Sequence, residues 1–123
     1  MSRGRLVLVA DDEEDILALV TTILERSGHD VIPVRDGAEA LAAVRERRPD
    51  LAVLDVSMPE LDGLEVLRRL RADAETSGLP VVLLSAQAQE ADVRRGYATG
   101  ASAYVKKPFR PRDLAARIDE LLG

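Results

Sequence analysis

Leu6-Val7-Leu8-Val9-Ala10-Asp11-Asp12 decides the fold, because five apolar residues run straight into two carboxylates. The same order returns at Leu51-Ala52-Val53-Leu54-Asp55, at Val81-Val82-Leu83-Leu84-Ser85 and, in shorter form, at Tyr104-Val105 ahead of Lys107. Short apolar runs closed by a polar residue read as strands covered on both faces. If those strands lie parallel, the polar residues that close them share one edge of the sheet.

Working outward from these runs, strands are expected at 5–10, 30–34, 50–54, 80–84 and 102–106, each followed by a helical pattern. The first helix, about 13–27, carries Ile16, Leu17, Leu19, Val20, Ile23 and Leu24 on its apolar side and stops at Gly28. The second opens at Asp36 with Glu39 three residues on, a capping-box spacing, and ends before Pro49. The third spans about 63–72, and the fifth starts near Pro111 and buries Leu114, Ile118 and Leu121 or Leu122. The fourth, about 88–99, is poor: its large apolar residues are mainly Val93 and Tyr97, and Gly96 costs helix stability. It is expected to be the most mobile element. Five strand–helix units are too few for an eight-stranded barrel, so the pattern predicts one α/β domain over residues 1–123, an open, doubly wound parallel sheet with right-handed crossovers.

Composition narrows the function. At 123 residues the chain can bury roughly two-thirds of its unfolded surface without staples. With no Cys, thiolate chemistry and Cys-based metal sites are excluded, and the single His29 cannot build a His-rich zinc site or a Ser-His relay. The apolar stretch 6–10 is too short for a signal-peptide core or a membrane span, so a soluble, cytoplasmic protein with no membrane contact is expected. A net charge of −5 argues against direct contact with nucleic acid, which leans on phosphate neutralisation.

In a doubly wound sheet the ligand site lies beyond the carboxyl ends of the strands, where strand order reverses, and that rule brings Asp11, Asp12 and Asp55 together. Glu13, Glu14 and Asp15 read instead as caps and first-turn residues that favour the helix dipole. Two carboxylates about 4 Å apart repel by roughly 4 kcal/mol at an effective dielectric of 20, so the cluster needs a cation or a raised pKa. Mg²⁺ answers this, since it takes oxygen ligands from one or two carboxylates and keeps sites for water and phosphate. A spare carboxylate could then attack a phosphoryl group, with Lys107 neutralising its oxygens and Ser85 donating a hydrogen bond.

Asp11-Asp12, Asp55 with Met58-Pro59 and Asp62-Gly63 behind it, Ser85-Ala86, Tyr104 and Lys107-Pro108-Phe109 together resemble the signature of response regulator receiver domains, the CheY-like fold of bacterial two-component signalling. The match spans nearly the whole chain. It implies strand order 2-1-3-4-5 and a phosphorylation-dependent switch that catalyses only its own phosphorylation and dephosphorylation. Asp55 would be the phosphoacceptor, charged by a sensor histidine kinase or a histidine phosphotransfer protein. Asp11, Asp12, Asp55 and the backbone carbonyl of Ser57 would hold Mg²⁺, with Mn²⁺ able to substitute. Lys107 would pair with the phosphoryl group, and the Lys107–Pro108 bond would be cis. The competing Lys106 is set aside because the family's lysine directly precedes the proline and strand alternation sends Lys106 to the other face. Ser85 and Tyr104 would form the switch, altering a surface of the fourth helix, fifth strand and fifth helix that controls a downstream protein or output domain. No output domain is expected within these residues, and the state expected is a monomer or a weak, phosphorylation-dependent dimer. Ser102-Ala103 stand where dimerising members often carry an acidic pair.

Other classes fit less well. Haloacid-dehalogenase-like phosphohydrolases use Asp-x-Asp, whereas the residue two after Asp55 is Ser57 and the first strand is followed by Asp11-Asp12-Glu13. A flavodoxin-like carrier needs a hydroxyl- and Gly-rich first loop, and Asp11 to Asp15 would repel its phosphate. A phosphate-independent pseudo-receiver that acts only as a docking module is the remaining alternative.

Overall fold

A computed structural model describes residues 4–123, so residues 1–3 of the expected unit lie outside the described residues. The elements run β1 (Leu6–Ala10), α1 (Glu14–Arg26), β2 (Asp30–Val34), α2 (Gly37–Arg47), β3 (Leu51–Asp55), α3 (Gly63–Ala72), β4 (Val81–Ser85), α4 (Glu90–Thr99), β5 (Ala103–Lys106) and α5 (Pro111–Leu122). All strand pairs are parallel, in the order β2-β1-β3-β4-β5. The doubly wound sheet and its order are as expected. The first, third, fourth and fifth strands begin one residue later, so Asp55 and Ser85 are the last residues of β3 and β4.

Strand alternation sorts the core into two layers. Val7, Val9, Leu51, Val53, Val82 and Leu84 face α1 and α5, where they meet Leu17, Val20, Ile23, Leu24, Leu114 and Ile118. Leu8, Ala10, Ala52, Leu54, Val81 and Leu83 face the other way, onto Ala40, Leu41 and Val44 of α2 and Val66, Leu67 and Leu70 of α3. Side chains facing both ways are buried in β1, β3 and β4, which explains their uninterrupted apolar sequences.

Asp36 caps α2 by accepting the Glu39 N–H at 2.8 Å, and Asp62 caps α3 by accepting the Glu65 N–H at the same distance. Two helix readings need correction. Leu19 is 41% exposed, because the apolar stripe of α1 is narrower than its sequence suggests. Tyr97 is 43% exposed, and Gly96 is the buried residue of α4. A β-carbon on Gly96 would lie 2.7 Å from Cδ2 of Tyr104, so the glycine is what lets α4 approach β5. At its C-terminal end α4 is held by Arg71 of α3, whose Nε and Nη2 donate to the Gly100 carbonyl at 3.0 and 2.9 Å.

Both sheet edges carry a local device. Asp30 donates to the Arg5 carbonyl and Val34 accepts from the Asp11 N–H, so alternation turns Pro33 outward on β2, where it has no N–H. On β5 the Tyr104 N–H donates to the Tyr97 hydroxyl at 3.2 Å. His29 lies at the sheet edge away from the strand ends that carry the aspartates. Its Nδ1 accepts the Arg5 N–H at 3.2 Å, which leaves Nε2 to donate to Asp119 Oδ1 at 2.8 Å. No described helix is long and apolar enough to cross a membrane.

Candidate functional site

The strand order reverses at β1, which has β2 on one side and β3 on the other. Asp55 closes β3 and Asp11 follows β1, so the carboxyl ends of these neighbouring strands put two buried carboxylates side by side at the switch point. Asp11 is fully buried and Asp55 is 3% exposed. One oxygen from each of Asp11, Asp12 and Asp55 lies within 4.8 Å of the others. Asp12 is exposed and makes no hydrogen bond or ion pair among the described residues.

The cation that compensates the buried pair is Lys107. Its Nζ donates to Asp11 Oδ2 at 2.9 Å and lies 3.2 Å from Asp55 Oδ1. Lys106 is exposed, as strand alternation predicts, and the Lys107–Pro108 bond is cis. Burial, and after it the Asp11 carboxylate, pushes the Asp55 carboxyl up to about 6, against the pull of Lys107 and the Ser57 N–H. Burial alone would lower the Lys107 ammonium, but the Asp11 and Asp55 carboxylates outweigh it and hold the group above the ordinary lysine range. The sequence offered a divalent ion and Lys107 as compensating charges, and Lys107 is in direct contact with both buried carboxylates.

The loop after Asp55 is fixed from below. Met58 is buried in the α2–α3 layer, and the Gly63 N–H donates to the Val56 carbonyl at 3.0 Å. A β-carbon on Gly63 would stand 2.3 Å from the Asp55 carbonyl oxygen. The glycine after Asp62 is therefore required by the close approach of α3 to the strand end that carries Asp55.

The hydroxyls of Ser85 and Tyr104 are hydrogen-bonded neither to each other nor to the carboxylates. The Ser85 hydroxyl accepts the Gln87 N–H at 2.9 Å, and the Tyr104 hydroxyl donates to the Gln87 carbonyl at 2.5 Å. Tyr104 thus has a protein partner for its hydroxyl, and the backbone of Gln87 joins it to Ser85. No side-chain pattern could have announced that joint. Glu13 stands among the caps and first-turn acids as expected, but its side chain has a second, long-range partner. It occupies the N-cap of α1 with no side-chain cap bond, and its Oε1 accepts from Lys107 Nζ at 3.3 Å.

The family model for the response regulator receiver domain matches residues 7–119. The chain belongs to this family. The receiver is 45% identical over 112 residues to the DNA-binding response regulator MtrA of Mycolicibacterium smegmatis, covering 91% of this chain and 48% of that protein. It is 46% identical over 119 residues to the alkaline phosphatase synthesis transcriptional regulatory protein PhoP of Bacillus subtilis, covering 97% and 49%. The chain spans about half the length of the curated relatives it matches. Among solved structures, the receiver domain of the sensor histidine kinase PA1611 of Pseudomonas aeruginosa, described with a magnesium ion in its active-site cleft, superposes with a TM-score of 0.90 at 27% identity, covering 98% of both chains. Receiver domains are signalling domains of two-component systems and bind Mg²⁺ at an acidic cluster of this kind. The residues here fit that ion, since Asp11, Asp12 and Asp55 supply only hard carboxylate oxygens, and exposed Asp12 leaves a solvent side for water ligands.

Proposed function

We propose that the chain is a phosphorylation-dependent switch that receives a phosphoryl group on Asp55 from a sensor histidine kinase or a histidine phosphotransfer protein. The observation that carries this reading is a buried carboxylate held beside two others within 4.8 Å, with a lysine ammonium 3.2 Å from it. The Asp55 carboxyl, pushed up to about 6, is ionised at neutral pH and available as a nucleophile. An Asp55 oxygen attacks phosphorus, and the bond from phosphorus to the donor's ring nitrogen breaks with its electron pair. A phosphohistidine ring protonated on its other nitrogen then leaves as neutral imidazole, and an acyl phosphate remains.

Asp11, Asp12 and Asp55, with the backbone carbonyl of Ser57, would hold Mg²⁺. When bound, that ion neutralises charge on the transferring phosphoryl oxygens. Lys107 supplies a second positive charge from the carboxyl end of β5, and the buried floor made by β1 and β3 limits water to one side.

Ser85 and Tyr104 constitute the readout. A phosphoryl group on Asp55 offers the Ser85 O–H a charged acceptor, and rotating the side chain toward it carries the hydroxyl oxygen away from the Gln87 N–H that it accepts. Drawing Ser85 away loosens Gln87, and with it the carbonyl that holds the Tyr104 hydroxyl. The α4–β5–α5 surface then changes by a population shift, to which phosphate contributes only its different contacts with the two states. Because relatives described as DNA-binding or transcriptional regulators extend about as far again as the matched part, the surface would address an output domain or a separate protein. Nucleic acid would not be contacted by the receiver itself.

The test is intact mass after incubation with Mg²⁺ and acetyl phosphate, alongside Asp55→Asn and a chelated sample. A single phosphoryl adduct absent from both controls is expected. No adduct on the folded wild type would leave the phosphate-independent docking module as the better reading.

A further inference from the structure

We propose that Glu13 is a positioning residue for phosphoryl transfer to Asp55, acting by engaging the ammonium of Lys107 in the resting state. The inference rests on the reading of Asp55 as the phosphoacceptor.

A lysine ammonium has three N–H donors. Lys107 meets three carboxylates, Asp11 Oδ2 at 2.9 Å, Asp55 Oδ1 at 3.2 Å and Glu13 Oε1 at 3.3 Å. The first two are buried, whereas the Glu13 side chain is 64% exposed. Glu13 therefore holds the ammonium from the solvent side, the side from which a phosphoryl group must come. To reach a phosphoryl oxygen, Lys107 has to release one N–H. The longest and most exposed of its contacts is the one released at least cost.

A second observation is independent of Lys107. The N-cap position favours Ser, Thr, Asp or Asn, whose short side chains reach the first free N–H groups of the helix. Glu13 occupies that position in α1 and makes no such bond. Its backbone is fixed by donating to Asp11 Oδ1 at 2.9 Å and accepting the Leu17 N–H at 3.0 Å. Helix capping thus does not account for a glutamate here, and its longer side chain reaches Lys107 instead.

The measurement is the rate of adduct formation with acetyl phosphate and Mg²⁺, followed by intact mass. Exposed ion pairs contribute roughly 0.2–1 kcal/mol, so Glu13→Gln, which removes the charge at constant shape, is expected to speed formation up to about fivefold. Glu13→Asp keeps the charge but shortens the reach, and is expected to speed it as well. Glu14→Gln removes the neighbouring charge, which pairs with Arg35 and not with Lys107, and is expected to leave the rate unchanged. In a Lys107→Ala background, read over a longer incubation, the Glu13→Gln effect is expected to vanish.

Wild-type rates in both Glu13 variants would overturn the inference while leaving the phosphoacceptor reading intact. An equal gain in Glu14→Gln would do so too, by assigning the effect to the general field, as would a gain that survives loss of Lys107. Absence of any adduct on the wild type would remove the phosphoacceptor reading and this inference with it.

Discussion

The ring of Tyr104 rests on the backbone of Gly96, so close that a β-carbon there would stand 2.7 Å from Cδ2 and 3.0 Å from Cε2. Glycine is a poor helix residue, and replacing it with alanine in a helix interior ordinarily gains about 1 kcal/mol. Here the methyl group must displace the ring. Gly96→Ala is expected to lower the melting temperature in the wild-type background and to raise it in a Tyr104→Ala background. Thermal melts of the two single variants and the double variant check this, and a gain in both backgrounds would show that the ring is not seated on α4.

The raised carboxyl of Asp55 sets a pH dependence. Its folded value, about 6, lies above the unfolded value of 3.8. Between these values the unfolded chain ionises while the folded chain keeps its proton, so folding loses stability as pH rises from about 4 to 6. Asp55→Asn removes that loss. In metal-free buffer the variant is expected to match the wild type near pH 4 and to exceed it by ~2–3 kcal/mol above pH 6, where the loss is complete. Urea unfolding across this range checks it, and a difference independent of pH would contradict the burial argument.

Tyr104→Phe removes one hydrogen bond, the one to the Gln87 carbonyl. The net loss in stability is expected to be about 1 kcal/mol, with faster amide exchange at 86–89 and none of the acceleration in α1 or α5. In the wild type, amides between 86 and 104 are expected to exchange faster than those of α1 and α5, because Gly96 is the buried residue of α4. Uniform protection across the domain would remove α4 from the switch.

Arg71→Ala detaches the carbonyl end of α4 from α3. Nε and Nη2 of Arg71 both reach the Gly100 carbonyl, and charge-assisted hydrogen bonds are worth roughly 1.5–3 kcal/mol. A loss in that range is expected for alanine, with incomplete recovery for Arg71→Lys, whose ammonium lacks the planar fork. Thermal melts distinguish the three forms.

The strands were legible because β1, β3 and β4 are buried on both faces, and their apolar runs leave the sheet only at Asp11, Asp55 and Ser85. The carboxylate cluster was legible for the same reason, since the topological rule needs only the strand ends. Leu19 was not, because a stripe of apolar residues says nothing of its width until the packing partner is known. Gly96 was read only as a cost to its helix, since the ring that requires it comes from β5. Glu13 read only as a cap or first-turn acid, because its side-chain partner Lys107 is 94 residues away. The role of Gln87 is carried by its backbone, which every residue shares.

The proline on the outward side of β2 and the phenol that covers the Tyr104 N–H on β5 have a common result. Neither rim of the sheet presents a clean row of donors on which a stray strand could register, and exposed Lys106 places charge on the second rim. Recognition is left to helices and loops, whose side chains can discriminate among partners. The backbone, which cannot, is withheld, and the domain is thereby guarded against edge-to-edge aggregation.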